Sequence, residues 1–132
     1  VSLAPLLAAP AMVQIHAFAA MAALLLGIVQ LLAPKGTLPH RQIGWVWVVL
    51  MVVVAGSSFW ITSERRGHQY SWIHIISLVV LLLLPLGVLR ARRGAIAGHR
   101  TTMASIFFGG LIIAGGFTLL PGRIMGAVVF GW

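Results

Sequence analysis

Apolar residues fill this chain in four long runs, over about 11–33, 40–62, 71–90 and 96–120, and the charges fall between the runs or near their ends. A helix rises about 1.5 Å per residue, so about 20 apolar residues cross a ~30 Å hydrocarbon core. The pattern predicts an all-α, polytopic membrane four-helix bundle, a single transmembrane domain over 1–132 with an interfacial tail at 121–132. The opening VSLAPLLAAP lacks a basic leader and reads as an interfacial lead-in.

Each run has its own pattern. In the first, bounded by Pro10 and Pro34, His16, Ala19, Ala20, Ala23, Gly27 and Gln30 share one face on a 3.6-residue period. The opposite face (Val13, Met21, Leu24, Leu25, Ile28) is expected to meet lipid. Thr37 with Pro39 signals the start of the second helix. There His40, Gly44, Trp47, Met51, Ala55, Ser58 and Thr62 form one stripe. Trp45 and Trp47 at one end and Trp60 at the other suit the two interfacial belts, and Tyr70 and Trp72 open the third run. Pro85 is expected to bend that helix and free the carbonyl of Leu81. The fourth run pairs Ser105 with Gly109 and Gly110 with Ala114 at four-residue spacing, which favours close helix packing.

Composition narrows the function. The sequence is 61% hydrophobic and 8% charged, which excludes a soluble enzyme. Nine basic residues stand against one acid, Glu64, but they sit in short loops between apolar runs, which points away from nucleic acid and toward a bilayer. Lys35, Arg41, Arg90, Arg92, Arg93 and Arg100 fall on one side, and Arg65, Arg66 and Arg123 on the other. That asymmetry predicts both termini on the non-cytoplasmic side of a cytoplasmic membrane. Without cysteine there is no disulfide and no covalently attached c-type haem.

The histidines carry the candidate chemistry. In the predicted topology His16 and His74 lie about a turn below the outer surface, while His40 and His99 open their helices near the inner one. Each level thus has two histidines on alternate helices, facing diagonally across a bundle. Two neutral imidazoles so placed can bind a haem iron axially through Nε2, with each other nitrogen donating to a carbonyl or hydroxyl. Arg65, Arg66 or Arg123 could hold propionates at the outer level, and Arg41 or Arg100 at the inner one. The simpler reading is that each histidine is a satisfied structural group, that the small-residue stripes are plain packing and that the arginines set topology. His68, in a polar loop, reads as a surface residue.

LPHRQIGWVWVVLM, RARRGAIAGHRTTM and FTLLPGRIMG resemble blocks of a bacterial domain-of-unknown-function family of predicted membrane proteins, from about His16 onward. That family is remotely similar to the membrane di-haem cytochrome b superfamily, with ascorbate-reducible and superoxide-oxidising members. The resemblance implies a bacterial inner-membrane protein with two haem b groups, His16 pairing with His74 and His40 with His99; one haem or none is the alternative.

The leading expectation is a b-type cytochrome carrying electrons between a quinol or small anionic outer partner and an acceptor across the membrane, and so a haem-dependent oxidoreductase or carrier. The competing one is a non-catalytic transmembrane subunit that packs on a larger respiratory or photosynthetic complex or on copies of itself. A proton, metal or solute pathway ranks last, because the single acid lies in a loop and histidine pairs at two depths do not form one tetrahedral site.

Overall fold

The computed structural model describes residues 1–61 and 72–132. Expectations for Thr62, Glu64, Arg65, Arg66, His68, Tyr70 and the Trp72 side chain lie outside the described residues. Among those described, four helices are long and apolar enough to cross a membrane, and there is no strand. They are α2 (Ala11–Leu32), α3 (Leu38–Ser58), α4 (Trp72–Arg92) and α5 (Ile96–Phe117). Two short helices stand outside them, α1 (Ala4–Leu7) and α6 (Ile124–Phe130).

Local chemistry sets the boundaries. Thr37 caps α3, its side-chain oxygen accepting from the His40 N–H at 3.3 Å, with Pro39 in the first turn. Thr37→Ala is expected to cost about 1 kcal/mol of stability, read as a lower thermal midpoint of the detergent-solubilised protein. At its other end α3 stops sooner than expected. The N–H groups of Phe59, Trp60 and Ile61 turn back to the carbonyls of Gly56, Ser57 and Ser58, which tightens the last turn and ends the helix. Ser57 Oγ and Ser58 Oγ also donate to the Val54 and Ala55 carbonyls, at 3.1 and 2.6 Å. The end of α5 uses the same device: Thr118 and Leu119 N–H turn back to Gly115 and Gly116, three residues short of the expected end at 120. Helix α4 runs through Pro85, whose exposed side chain lies off the core.

The core forms where the inward stripes of the four helices meet. Trp47, Met51 and Ala55 of α3 join Ala23 of α2, Val80 and Leu84 of α4, and Ile106, Phe107 and Leu111 of α5. The inward register of α2 and α3 agrees with the sequence. Two details do not. Trp47 is no belt residue: it is buried, and its Nε1 donates to the Ala23 carbonyl at 3.1 Å. Trp45 and Trp60, in contrast, are exposed. The Ser105–Gly109 pair faces away from the chain's own core, since Ser105 is exposed and a Cβ at Gly109 would meet nothing within 4 Å. Gly110 does pack, with Val80 Cγ2 at 3.3 Å and Met51 Cε at 3.5 Å from where a Cβ would stand.

Helix α5 is not uniform. Over Phe107–Ile113 it widens into a π-helical stretch, a form that is rare and recurs at functional sites. The stretch carries Phe107 and Leu111 into the core, and Phe107 fills the space beside Gly27, where a Cβ would run into its ring. The chain ends also pack. Ser2 N–H donates to the Val128 carbonyl at 3.0 Å, and Leu6 and Val128 form a second apolar cluster with Ala17 of α2. Of the residues expected to meet lipid, Val13 and Met21 pack against that cluster and Leu24 against the main core, whereas Leu25 and Ile28 are exposed as expected.

Candidate functional site

The histidines fall at the two ends of the bundle. At one end His16 of α2 and His74 of α4 reach the same stretch of α3 from either side. His16 Nδ1 lies 2.8 Å from the Val54 carbonyl and 3.0 Å from Ser57 Oγ. A carbonyl oxygen only accepts, so Nδ1 carries the proton and, in the neutral ring, Nε2 keeps its lone pair. His74 is buried and turned the other way: its Nε2 donates to the Ser58 and Ile61 carbonyls, at 2.9 and 3.0 Å. Its ring lies 5.9 Å from that of Phe59, and below it Ser58 Oγ and Ser77 Oγ are 2.6 Å apart. The side chains of Ser57 and Ser58, at the last turn of α3, thereby tie the surroundings of both histidines into one polar layer.

At the other end His99 of α5 donates through Nδ1 to the Gly87 carbonyl of α4 at 2.8 Å, which leaves the Nε2 lone pair for other use. His40 and His99 each lie in the first turn of their helices, α3 and α5, and the Arg92 contact with Trp45 brings the turn before α5 to the start of α3, so the two histidines share one end of the bundle. Nδ1 of His40 is buried without a hydrogen-bond partner, as is Oε1 of Gln30, although Gln30 Nε2 donates to the His40 carbonyl at 2.8 Å. Unpaired buried polar atoms are uncommon in native proteins and each calls for an account.

The arginines are less convergent. Arg41, Arg100 and Arg123 are exposed, and Arg41 stands on the outer stripe of α3 with Trp45 and Val49, away from the stripe that holds Trp47 and Met51. Arg90 is the one the sequence did not single out. Half-buried, it donates through Nη1 to Thr102 Oγ1 at 2.8 Å, joining α4 to α5 one turn from His99. Spacing within one helix gives no sign of such a bond between helices. The small residues beside the histidines provide close packing: Ala23 receives the Trp47 indole and Gly27 the Phe107 ring. Among the described residues no group of three or more histidine, cysteine or acidic side chains could hold a metal ion, and pairs lie below that count.

The sequence profile of a family described as "Predicted membrane protein (DUF2306)" matches residues 13–121. The chain belongs to the DUF2306 family. None of the curated proteins and none of the solved structures is a significant match. The DUF2306 stretch takes in the four spanning helices, apart from the first two residues of α2, and His16, His40, His74 and His99, but neither α1 nor α6. The terminal cluster joins Leu6 and Val128, which lie beyond the matched stretch, to Ala17 within it.

Proposed function

We propose that this DUF2306 chain is a membrane b-type cytochrome that passes electrons between a quinol or small anionic partner and an acceptor across the bilayer. The observation that carries the proposal is the level of His40 and His99. One ring has its Nδ1–H fixed by a backbone carbonyl of the neighbouring helix, and the other has a buried nitrogen with no partner. A carbonyl-bound Nδ1–H fixes both tautomer and ring direction, as is usual for a ligating histidine. On this reading His40 and His99 hold iron, with Arg100 beside them for a propionate. The haem supplies the one-electron chemistry, and the protein's part is to bind it, orient it and tune its potential. The positive-inside asymmetry of the loops supports reading this level as the cytoplasmic side of a bacterial inner membrane.

The level of His16 and His74 fits less well. His16 presents the Nε2 lone pair, but His74 spends its Nε2 on α3 and must turn its ring before that nitrogen could reach iron. A second haem there, with Arg123, Arg65 or Arg66 for propionates, requires that rearrangement. The commitment of His74 favours the second reading, a structural subunit whose histidines staple helices together.

Pigment separates the two. Protein purified from haem-replete cells is expected to show a dithionite-sensitive b-type spectrum, and His40→Ala and His99→Ala are each expected to remove the haem held at their level. A colourless wild-type preparation would sink the cytochrome reading and leave the structural one.

A further inference from the structure

On the side of α3 away from the core, Trp45, Val46, Val49 and Leu50 line a shallow, wholly apolar hollow of about 300 Å³. Arg41, Trp45 and Val49 are four residues apart in turn, so they share one stripe, and all three are exposed. Arg41 belongs to the first turn of α3 and stands at the loop end of that stripe, with the hollow below it. From α4, the Arg92 guanidinium carbon lies 5.6 Å from the Trp45 ring centre, within range for a cation–π contact. Arg41 stands one turn before Trp45 on its stripe and the Arg92 guanidinium lies over the Trp45 ring, so two helices each bring a cationic residue to the Trp45 end of the hollow.

The described residues hold no aspartate or glutamate to neutralise them. The single acid of the sequence, Glu64, lies outside the described residues. The nearby Lys35 is spent on the Gln30 and Ala33 carbonyls, and Arg90 on Thr102. A negative charge from outside the protein completes the arrangement, and the bilayer around these apolar faces supplies one whose tail suits the hollow.

We infer that this corner of the bundle binds an anionic phospholipid, its phosphate between Arg41 and Arg92 and an acyl chain along Trp45, Val46, Val49 and Leu50. The Trp45 indole sits at headgroup depth, as amphipathic aromatic rings do. Guanidinium suits phosphate because its planar fork donates two parallel hydrogen bonds. The anionic lipid is preferred over a zwitterionic one because a quaternary ammonium would bring a third positive charge to the pair. This site is independent of any haem.

The test uses the full chain in nanodiscs of phosphatidylcholine doped with phosphatidylglycerol, with retained lipid counted by native mass spectrometry. Wild type is expected to retain phosphatidylglycerol in preference. Arg41→Gln and Arg92→Gln should each lower that preference about fivefold, the worth of one basic group near an anionic surface. Val49→Trp fills the hollow without touching charge and should displace the lipid as well. Arg93→Gln removes an equal charge from the same loop and should change little. Equal loss in Arg93→Gln would mean diffuse attraction to the surface and overturn the site. Unchanged retention in Val49→Trp, or in both Arg41→Gln and Arg92→Gln, would overturn it too.

Discussion

Trp47→Ala is expected to destabilise the bundle by about 3 kcal/mol, measured as the shift in unfolding free energy in bicelles or mixed micelles. In a soluble core, truncating a buried tryptophan costs about 3–5 kcal/mol, part of it the transfer of apolar surface out of water. Inside a bilayer that transfer term shrinks, because lipid tails are as apolar as the core. What remains is the dispersion lost around the cavity, plus the hydrogen bond from Nε1 to the Ala23 carbonyl. The low end of the soluble range is therefore the right expectation. Trp47→Phe keeps most of the ring and loses the N–H, so about 1 kcal/mol is expected. Trp45→Ala, two residues away on an exposed face, should stay within about 0.5 kcal/mol of wild type. If Trp45→Ala proved as costly as Trp47→Ala, the packing order of α3 would be wrong.

The two tryptophans show how far the sequence could be read. Placing both in the interfacial belt followed composition, but residues two apart on a helix point to nearly opposite sides. The stripe through Gly44, Trp47, Met51 and Ala55 already held the answer, and the structure buries its Trp47, Met51 and Ala55. Periodicity was legible on α2 and α3 because small and polar residues there alternate with bulky lipid-facing ones. On α5 glycines occur on several faces, so spacing alone could not say that Gly110 packs while Gly109 does not. Nor does anything in FFGGLII itself demand a π-helical stretch, which opens at Phe107, the ring packed beside Gly27 of another helix. The short α1 and α6 are beyond the reach of any periodicity, and their pairing joins opposite ends of the chain.

The site divides in the same way. Depth along each helix was readable: the structure puts His40 and His99 in the first turns of α3 and α5, at one end of the bundle, and gives His16 and His74 one helix end to share. Which ring nitrogen each histidine commits was not readable, since that choice belongs to carbonyls on a neighbouring helix. Here it matters, because Nδ1 is engaged in His16 and His99 but Nε2 in His74.

His74→Ala follows from that difference, with an expected loss of about 2–3 kcal/mol of stability. The substitution removes a buried ring and its hydrogen bonds to the Ile61 carbonyl and to the Ser58 carbonyl, which keeps only the Ile61 N–H, beside the Ser58–Ser77 contact. Interhelical hydrogen bonds in membranes average about 0.6 kcal/mol, so two of them and a ring-sized cavity reach that figure without further terms. His99→Ala breaks one bond at a half-buried position and should cost about 1 kcal/mol. His74→Gln offers an N–H of similar reach to the same carbonyls and should restore most of the loss. That variant also separates the roles. If His74 only staples α3 to α4, His74→Gln recovers stability and leaves any b-type spectrum untouched. If the ring turns to take iron, His74→Gln recovers stability and still loses one haem equivalent. A His74→Ala protein as stable as wild type would show that the hydrogen bonds to α3 contribute nothing to holding the helices together.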